Sequence, residues 1–150
     1  TQPTVKDTVA VQMLTAGLIR GVVAAEHPLA ELPWQDAKTS FYNAAREGPD
    51  ADLAWVTADG QRTTDHDEIY DELFDLARRG LASQEIPETR IDEFLNPIER
   101  RHALGTTPSQ WKLARVRDRL DDHDLTEAIF ETQREYYELS REHDTFAEWL

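Results

Sequence analysis

At 150 residues the chain is long enough for one domain with a real core, and 13 aromatic residues are too many for a disordered tail. Thirty acidic residues against 16 basic ones give a formal charge of -14, with no basic stripe to neutralise phosphates, which excludes nucleic acid as a partner. The absence of cysteine excludes disulfides, thiolate metal sites and a catalytic thiol.

The acids are spread along the chain, and only Lys6, Lys38 and Lys112 are lysines. An acidic surface of this kind repels itself at low salt and is screened at molar salt, so the composition reads as adaptation to high salt. No basic-then-apolar leader and no uninterrupted 18-residue apolar run are seen, so neither a signal peptide nor a membrane span is expected, and the cytoplasm is the expected compartment. Residue 1 is Thr and the only Met is Met13, so the chain is expected to be processed or to come from a longer polypeptide.

Thr4 and Asp7 read as a capping-box variant opening a helix whose apolar residues include Val9, Met13, Leu18, Ile19, Val22 and Val23. It should end near Glu26, before Pro28, and be well buried, because few charges interrupt residues 8–25. After a Pro-punctuated loop over 27–35, a second helix is predicted from Asp36 to Arg46, stopped by Gly48-Pro49. Leu53–Val56 is a predicted strand, and Asp59-Gly60 is a hairpin signal that returns the chain over Gln61–Thr64. Asp65 or His66 caps a third helix with Ile69, Leu73, Leu76 and Ala77 on one face, closed by Gly80. A loop over 81–88 and a turn around Ile91, Phe94 and Leu95 follow, and Asn96-Pro97 reads as the start of a new helix ending at Gly105. Thr107-Pro108 starts a helix to Leu120, Asp121–Asp124 is a polar break, and a last helix runs from Leu125 to Arg141. Phe146, Trp149 and Leu150 are expected to pack back as a final turn. The sum is a mainly α fold of five to six helices with one short hairpin. A lone two-stranded hairpin is marginal in water, so it is expected to complete a sheet supplied from outside these residues.

Little of this sequence carries self-contained chemistry. Glu99-x-x-His102 is one copy of a spacing that needs two, and the acid–His clusters 65–68 and 121–124 lack the continuation of a calcium loop, so no metal site is expected and no catalytic residue is assigned. No Gly-rich nucleotide loop is present. Two anion contacts remain as candidates. Gly105, Thr106, Thr107 and Gln110 surround a helix start with backbone N–H groups and hydroxyls, and also read simply as a Gly C-cap followed by a Thr N-cap. Asn43 and Arg46 end the second helix, where Arg46 is a fork-shaped donor for carboxylate or phosphate and equally a cation well placed for the helix dipole.

In their order along the chain, these segments resemble the carboxylate–amine ligase branch of the glutamate–cysteine ligases. Gln2–Ala10 is similar to the family stretch after a strand bearing a Glu-x-Arg-like motif. Phe41-Tyr42-Asn43-Ala44-Ala45-Arg46-Glu47-Gly48-Pro49-Asp50-Ala51 resembles the family's Trp-Arg-Ala-Ala-Arg-x-Gly-x-Asp-Ala signature, and Gly105–Gln110 its later Gly-Thr-Gly-Ala segment. Tyr42 stands where the family has Trp, Asn43 where it has the first Arg, and the later segment lacks the usual Arg-Gln pair. The resemblance implies an α+β enzyme of which residues 1–150 are a single helical C-terminal region. With ATP and Mg2+ it phosphorylates a carboxylate, which an amine then attacks to form a γ-glutamyl amide. It further implies that the metal-binding sheet precedes residue 1, that the chain alone is inactive, and that Asn43, Arg46, Gly105, Thr106, Thr107 and Gln110 lie at the rim of the site. The expected partners are the missing N-terminal catalytic part, small amino-acid substrates and a possible second copy through an apolar face of the first helix. The alternative is a free-standing acidic interaction or regulatory module without catalysis.

Overall fold

The computed structural model describes residues 3–150. Among the described residues it is mainly α: α1 (Val5–Ala24), α2 (Trp34–Glu47), α3 (His66–Ala82), α4 (Glu88–Ala103), α5 (Pro108–Arg119) and α6 (Leu125–Glu142), with one antiparallel pair β1 (Trp55–Val56) and β2 (Arg62–Thr63). Short 3-10 turns occupy Pro28–Glu31, Gly48–Asp50 and Phe146–Glu148. Two compact units are formed, one from Thr1–Val11 with Asn96–Leu150 and one from Gln12–Leu95.

In the Gln12–Leu95 unit, α1 and α3 meet through glycines. Gly17, Gly21 and Gly80 bring the backbones so close that no side chain fits between them. Around this contact Ala77, Leu81, Ile91 and Leu95 form one buried cluster with Met13, Leu14, Leu18 and Ile86, while Trp55, Ile69 and Leu76 form a second with Val22, Leu29 and Leu73. The hairpin forms in the expected place, pairing Trp55 with Thr63 and Val56 with Arg62. Gly60, at φ 81°, takes the left-handed position that the turn requires.

The other unit is stitched by polar contacts and aromatic rings. Thr4 caps α1, accepting from the Asp7 N–H at 3.1 Å and donating to the Asp7 carboxylate at 2.8 Å. That carboxylate, 2% exposed, also accepts from the Phe146 N–H at 2.9 Å. Trp111 of α5, Tyr136 of α6 and Trp149 form a ring cluster joined by the fully buried Phe146, with the Lys112 ammonium 3.6 Å from the Tyr136 ring centre. Arg119 ties α5 to α6 through the Thr132 hydroxyl at 3.1 Å and the Glu135 carboxylate at 2.6 Å.

Three expectations are corrected. Gly80 does not close α3, which continues to Ala82, because this glycine serves close approach rather than chain reversal. Asn96-Pro97 does not start a helix: α4 runs unbroken from Glu88 with Pro97 inside it, the interior proline's cost of about 3 kcal/mol being borne beside the buried anchors Ile91 and Leu95. Nor is α1 well buried. Ile19 and Val23 face outward, and an 18-residue window of mean hydropathy 1.2 makes α1 long and apolar enough to cross a membrane by length and composition, although no span was expected. Its glycine contact with α3 is that of a core helix.

Candidate functional site

The Phe41–Ala51 segment occupies the C-terminal half of α2 and the turn after it. Gly48, at φ 68°, ends the helix, its N–H returning to the Ala44 carbonyl. The inward side of α2 is polar. Asn43 donates from Nδ2 to the Asp52 carbonyl at 3.1 Å, Ser40 Oγ accepts from the Ala54 N–H at 2.8 Å, and Asp36 pairs with Arg62 at 2.8 Å. Asn43 thus holds the loop between α2 and the hairpin. Arg46 is different. Its guanidinium is 76% exposed and donates through Nε and Nη2 to the neighbouring Glu47, at 3.1 and 2.6 Å. An exposed ion pair of this kind is worth little, so the fork is available to an incoming carboxylate or phosphate.

Gly105, Thr106, Thr107 and Gln110 belong to the other unit. Gly105, at φ 63°, ends α4 with its N–H on the His102 carbonyl. Thr107 is the N-cap of α5 in a complete capping box: its hydroxyl accepts from the Gln110 N–H at 3.2 Å, and its own N–H donates to Gln110 Oε1 at 2.9 Å. Pro108 fills the first helical position, Thr106 is half-buried, and Gly105 is exposed.

A third constellation was not anticipated. Glu72 of α3 accepts hydrogen bonds from three separate segments: His27 Nε2 at 3.2 Å, the Ala58 N–H at 2.8 Å, and the Trp55 indole N–H. His27 is 4% exposed, and its Nδ1 accepts from the Leu29 N–H at 3.1 Å, which fixes the proton on Nε2. Burial pushes the Glu72 pKa up, but the Trp55, Ala58 and His27 donors outweigh it and hold the carboxyl below its usual range. One sequence signal pointed here: Glu72 falls inside the apolar stripe Ile69, Leu73, Leu76 of α3. It borders an open concavity of about 740 Å³ with Thr57, Asp59, Asp65, Glu68 and Asp71.

Three of these five carboxylates are already engaged by donors of the chain itself. Glu72 is held by its three donors, Asp59 by the Thr57 hydroxyl and the Gln61 side chain, and Asp65 by capping the Glu68 N–H. Among the described residues no group of three or more His, Asp or Glu is arranged to hold a metal ion.

No curated protein and no solved structure matches the chain. Residues 1–140 match glutamate-cysteine ligase family 2, whose ligases generally use ATP and Mg2+. The match runs from α1 into α6 and takes in the Gln2–Ala10, Phe41–Ala51 and Gly105–Gln110 segments. The chain therefore belongs to glutamate-cysteine ligase family 2.

Proposed function

We propose that these residues form the helical C-terminal region of an ATP-dependent carboxylate–amine ligase that makes a γ-glutamyl amide through an acyl phosphate. The observation that carries this reading is the family match over residues 1–140, together with the position of its signature on α2, where Arg46 stands exposed with only an adjacent carboxylate on its fork. In this reading ATP phosphorylates the glutamate γ-carboxylate, releasing ADP; the amine then attacks the acyl carbon, phosphate departs, and the amine loses a proton. The residues that hold the metal and the triphosphate lie in a preceding catalytic part, and the chain by itself is inactive. Arg46 exchanges Glu47 for a substrate carboxylate or phosphate. Asn43 keeps the loop after α2 in place, and the Gly105–Gln110 turn presents Gly105 and Thr106 at the rim. The hairpin Trp55–Thr63 adds to a sheet of the catalytic part. The amine is an amino acid, and the substitutions Tyr42 and Asn43 within the signature leave cysteine as one candidate among several. The acidic composition suits an enzyme of a high-salt cytoplasm.

The test is to assay the polypeptide that carries these residues in its own cells, in molar KCl, with glutamate, ATP, Mg2+ and a panel of amino acids. ATP-dependent phosphate release that requires both glutamate and an amine is expected, and Arg46→Ala should lower it. Amide formation absent for every amine, or unchanged by Arg46→Ala, would remove respectively the activity or the assigned residue. Calorimetry of the 150-residue chain with Mg·ATP should show no binding. Tight binding there would overturn the claim that the nucleotide site lies elsewhere.

A further inference from the structure

Six of the 16 basic residues fall within residues 100–119, which hold one acid, Asp118, in a chain of 30 acids. On α5, Lys112, Arg115 and Arg119 follow one another at three and four residues, so they share one face. Among the described residues, the ion pairs of that face are all made with one carboxylate, Glu135 of α6. Glu135 is held by Arg119, whose Nη2 donates to it at 2.6 Å while Nη1 donates to the Thr132 hydroxyl at 3.1 Å. Arg115 comes no nearer to Glu135 than 3.6 Å, too far for a hydrogen bond, and no carboxylate of the described residues pairs with Lys112. Two positive charges, one helical turn apart, are therefore left over. Each leans on a ring instead. Lys112 Nζ stands 3.6 Å from the Tyr136 ring centre, the Arg115 guanidinium 5.4 Å from that of Trp111, and the two ring centres are 6.0 Å apart. A ring face attracts a cation but carries no net charge, so the repulsion between the two cations stays in place. Burial pushes the Lys112 pKa below its ordinary value, the direction of an ammonium that has given up water without gaining an anion.

We propose that Lys112 and Arg115 form a binding site for a phosphate dianion, either free or carried as a monoester. The dianion matches the two charges that remain once Arg119 has neutralised Glu135. The guanidinium fork offers parallel donors to two phosphate oxygens, and the ammonium, a compact donor, takes a third. The Arg115 side chain is 44% exposed, so the fork is open to solvent. The ring contacts hold both head groups in place beforehand, which lowers the entropy lost on binding. A carboxylate, with one charge and two oxygens, would leave one cation unsatisfied. A nucleic-acid backbone needs a longer run of cations than this face of α5 supplies. The chain's charge of -14 repels anions at low salt. At molar salt the Debye length is about 3 Å, and the ligand senses little beyond the groups it touches. Mg·ATP is a poor ligand, because the metal already neutralises its terminal phosphates. Neither Lys112 nor Arg115 is among the residues placed at the ligase site, so the phosphate site stands or falls apart from that activity.

The test is a nuclear magnetic resonance titration of the isotope-labelled 150-residue chain with potassium phosphate, in molar KCl at constant ionic strength and a pH where phosphate is dianionic. The Arg115 Nε–H and Trp111 indole signals should shift saturably, with a Kd of about 1 mM. Lys112→Ala and Arg115→Ala should each weaken binding about 10-fold, the loss of one charge-assisted contact, with helical circular dichroism unchanged. Lys112→Arg keeps the charge and should keep the binding, which leaves the test decisive if Lys112→Ala fails to fold. Arg117→Ala removes a cation from the opposite side of α5 and should leave the affinity where it was. Glycerol phosphate identifies the source: tighter binding of the ester assigns a phosphorylated metabolite, tighter binding of inorganic phosphate the free ion. No saturation at roughly ten times the expected Kd, equal affinity in the wild type, Lys112→Ala and Arg115→Ala, or a loss caused by Arg117→Ala alone would overturn the site.

Discussion

A Cβ on Gly80 would stand 1.9 Å from the carbonyl oxygen of Gly17 and 2.5 Å from the Gly21 nitrogen, so α1 and α3 touch backbone to backbone. Gly80→Ala gains helix propensity but cannot be accommodated without prying the two helices apart. The variant should lose about 3 kcal/mol net, seen as a lower urea midpoint. Wild-type stability in this variant would mean that the contact relaxes at no cost.

Glu72 is the second structural keystone of the Gln12–Leu95 unit. Glu72→Ala leaves the buried His27 and the Trp55 indole without their acceptor and should destabilise the chain by about 2 kcal/mol. The pH dependence follows from the direction of its shift. The folded carboxyl titrates below the unfolded one, so its stabilisation is complete above the unfolded value, near 4.5, and is lost as the pH falls through the lower folded value. Stability against pH in the acid range should be flatter in Glu72→Gln than in the wild type; equal slopes would remove Glu72 as the cause.

Tyr136 and Trp149 carry buried polar atoms, the phenol oxygen and the indole nitrogen, with no hydrogen-bond partner among the described residues. Tyr136→Phe should therefore raise stability by about 1 kcal/mol. Burial first, and the Asp7 carboxylate second, push the Tyr136 pKa above 10, against a smaller opposing effect of Arg101. The unfolded phenol ionises first, so stability should fall as the pH rises above 10, and Tyr136→Phe should remove that loss. Equal alkaline profiles by fluorescence-monitored unfolding would contradict this.

Asn43 and Arg46 are three residues apart and should behave oppositely. Asn43→Ala removes the bond to the Asp52 carbonyl and should cost about 1 kcal/mol. Arg46→Ala breaks only an exposed pair and should leave the thermal midpoint where it was while lowering ligase turnover. A stability loss with Arg46→Ala would recast it as a structural residue.

Where the deciding physics is local, the sequence was readable. Thr4, Asp65 and Thr107 all cap helices, and Asp59-Gly60 turns the hairpin. What was misread depends on neighbours distant in the chain. Gly80 looks like a stop signal until Gly17 is placed beside it, 63 residues earlier. Pro97 looks like a helix start until Ile91 and Leu95, in the turns before it, are seen packed against Ala77 and Leu81 of α3. The Glu72 hub joins residues 27, 55 and 58, and no spacing rule connects those positions. That Trp34, Phe41 and Tyr42 of α2 stand exposed depends on what the rest of the chain packs against this helix, which residues 36–46 alone do not tell.

The bond from the Phe146 N–H to Asp7, and that from the Thr4 hydroxyl to the Asp144 carbonyl, join the start of α1 to the turn after α6. On the ribosome this arrangement imposes an order. The Gln12–Leu95 unit has all of its residues once Leu95 has emerged, whereas the residues around Thr4 and Asp7 must wait for the final turn. Their contacts span 139 and 140 residues of chain and carry the entropy of closing that whole length. Asp7 thus waits for its Phe146 donor until the final turn is made, and synthesis halted before Phe146 leaves a chain with one finished unit and one open one.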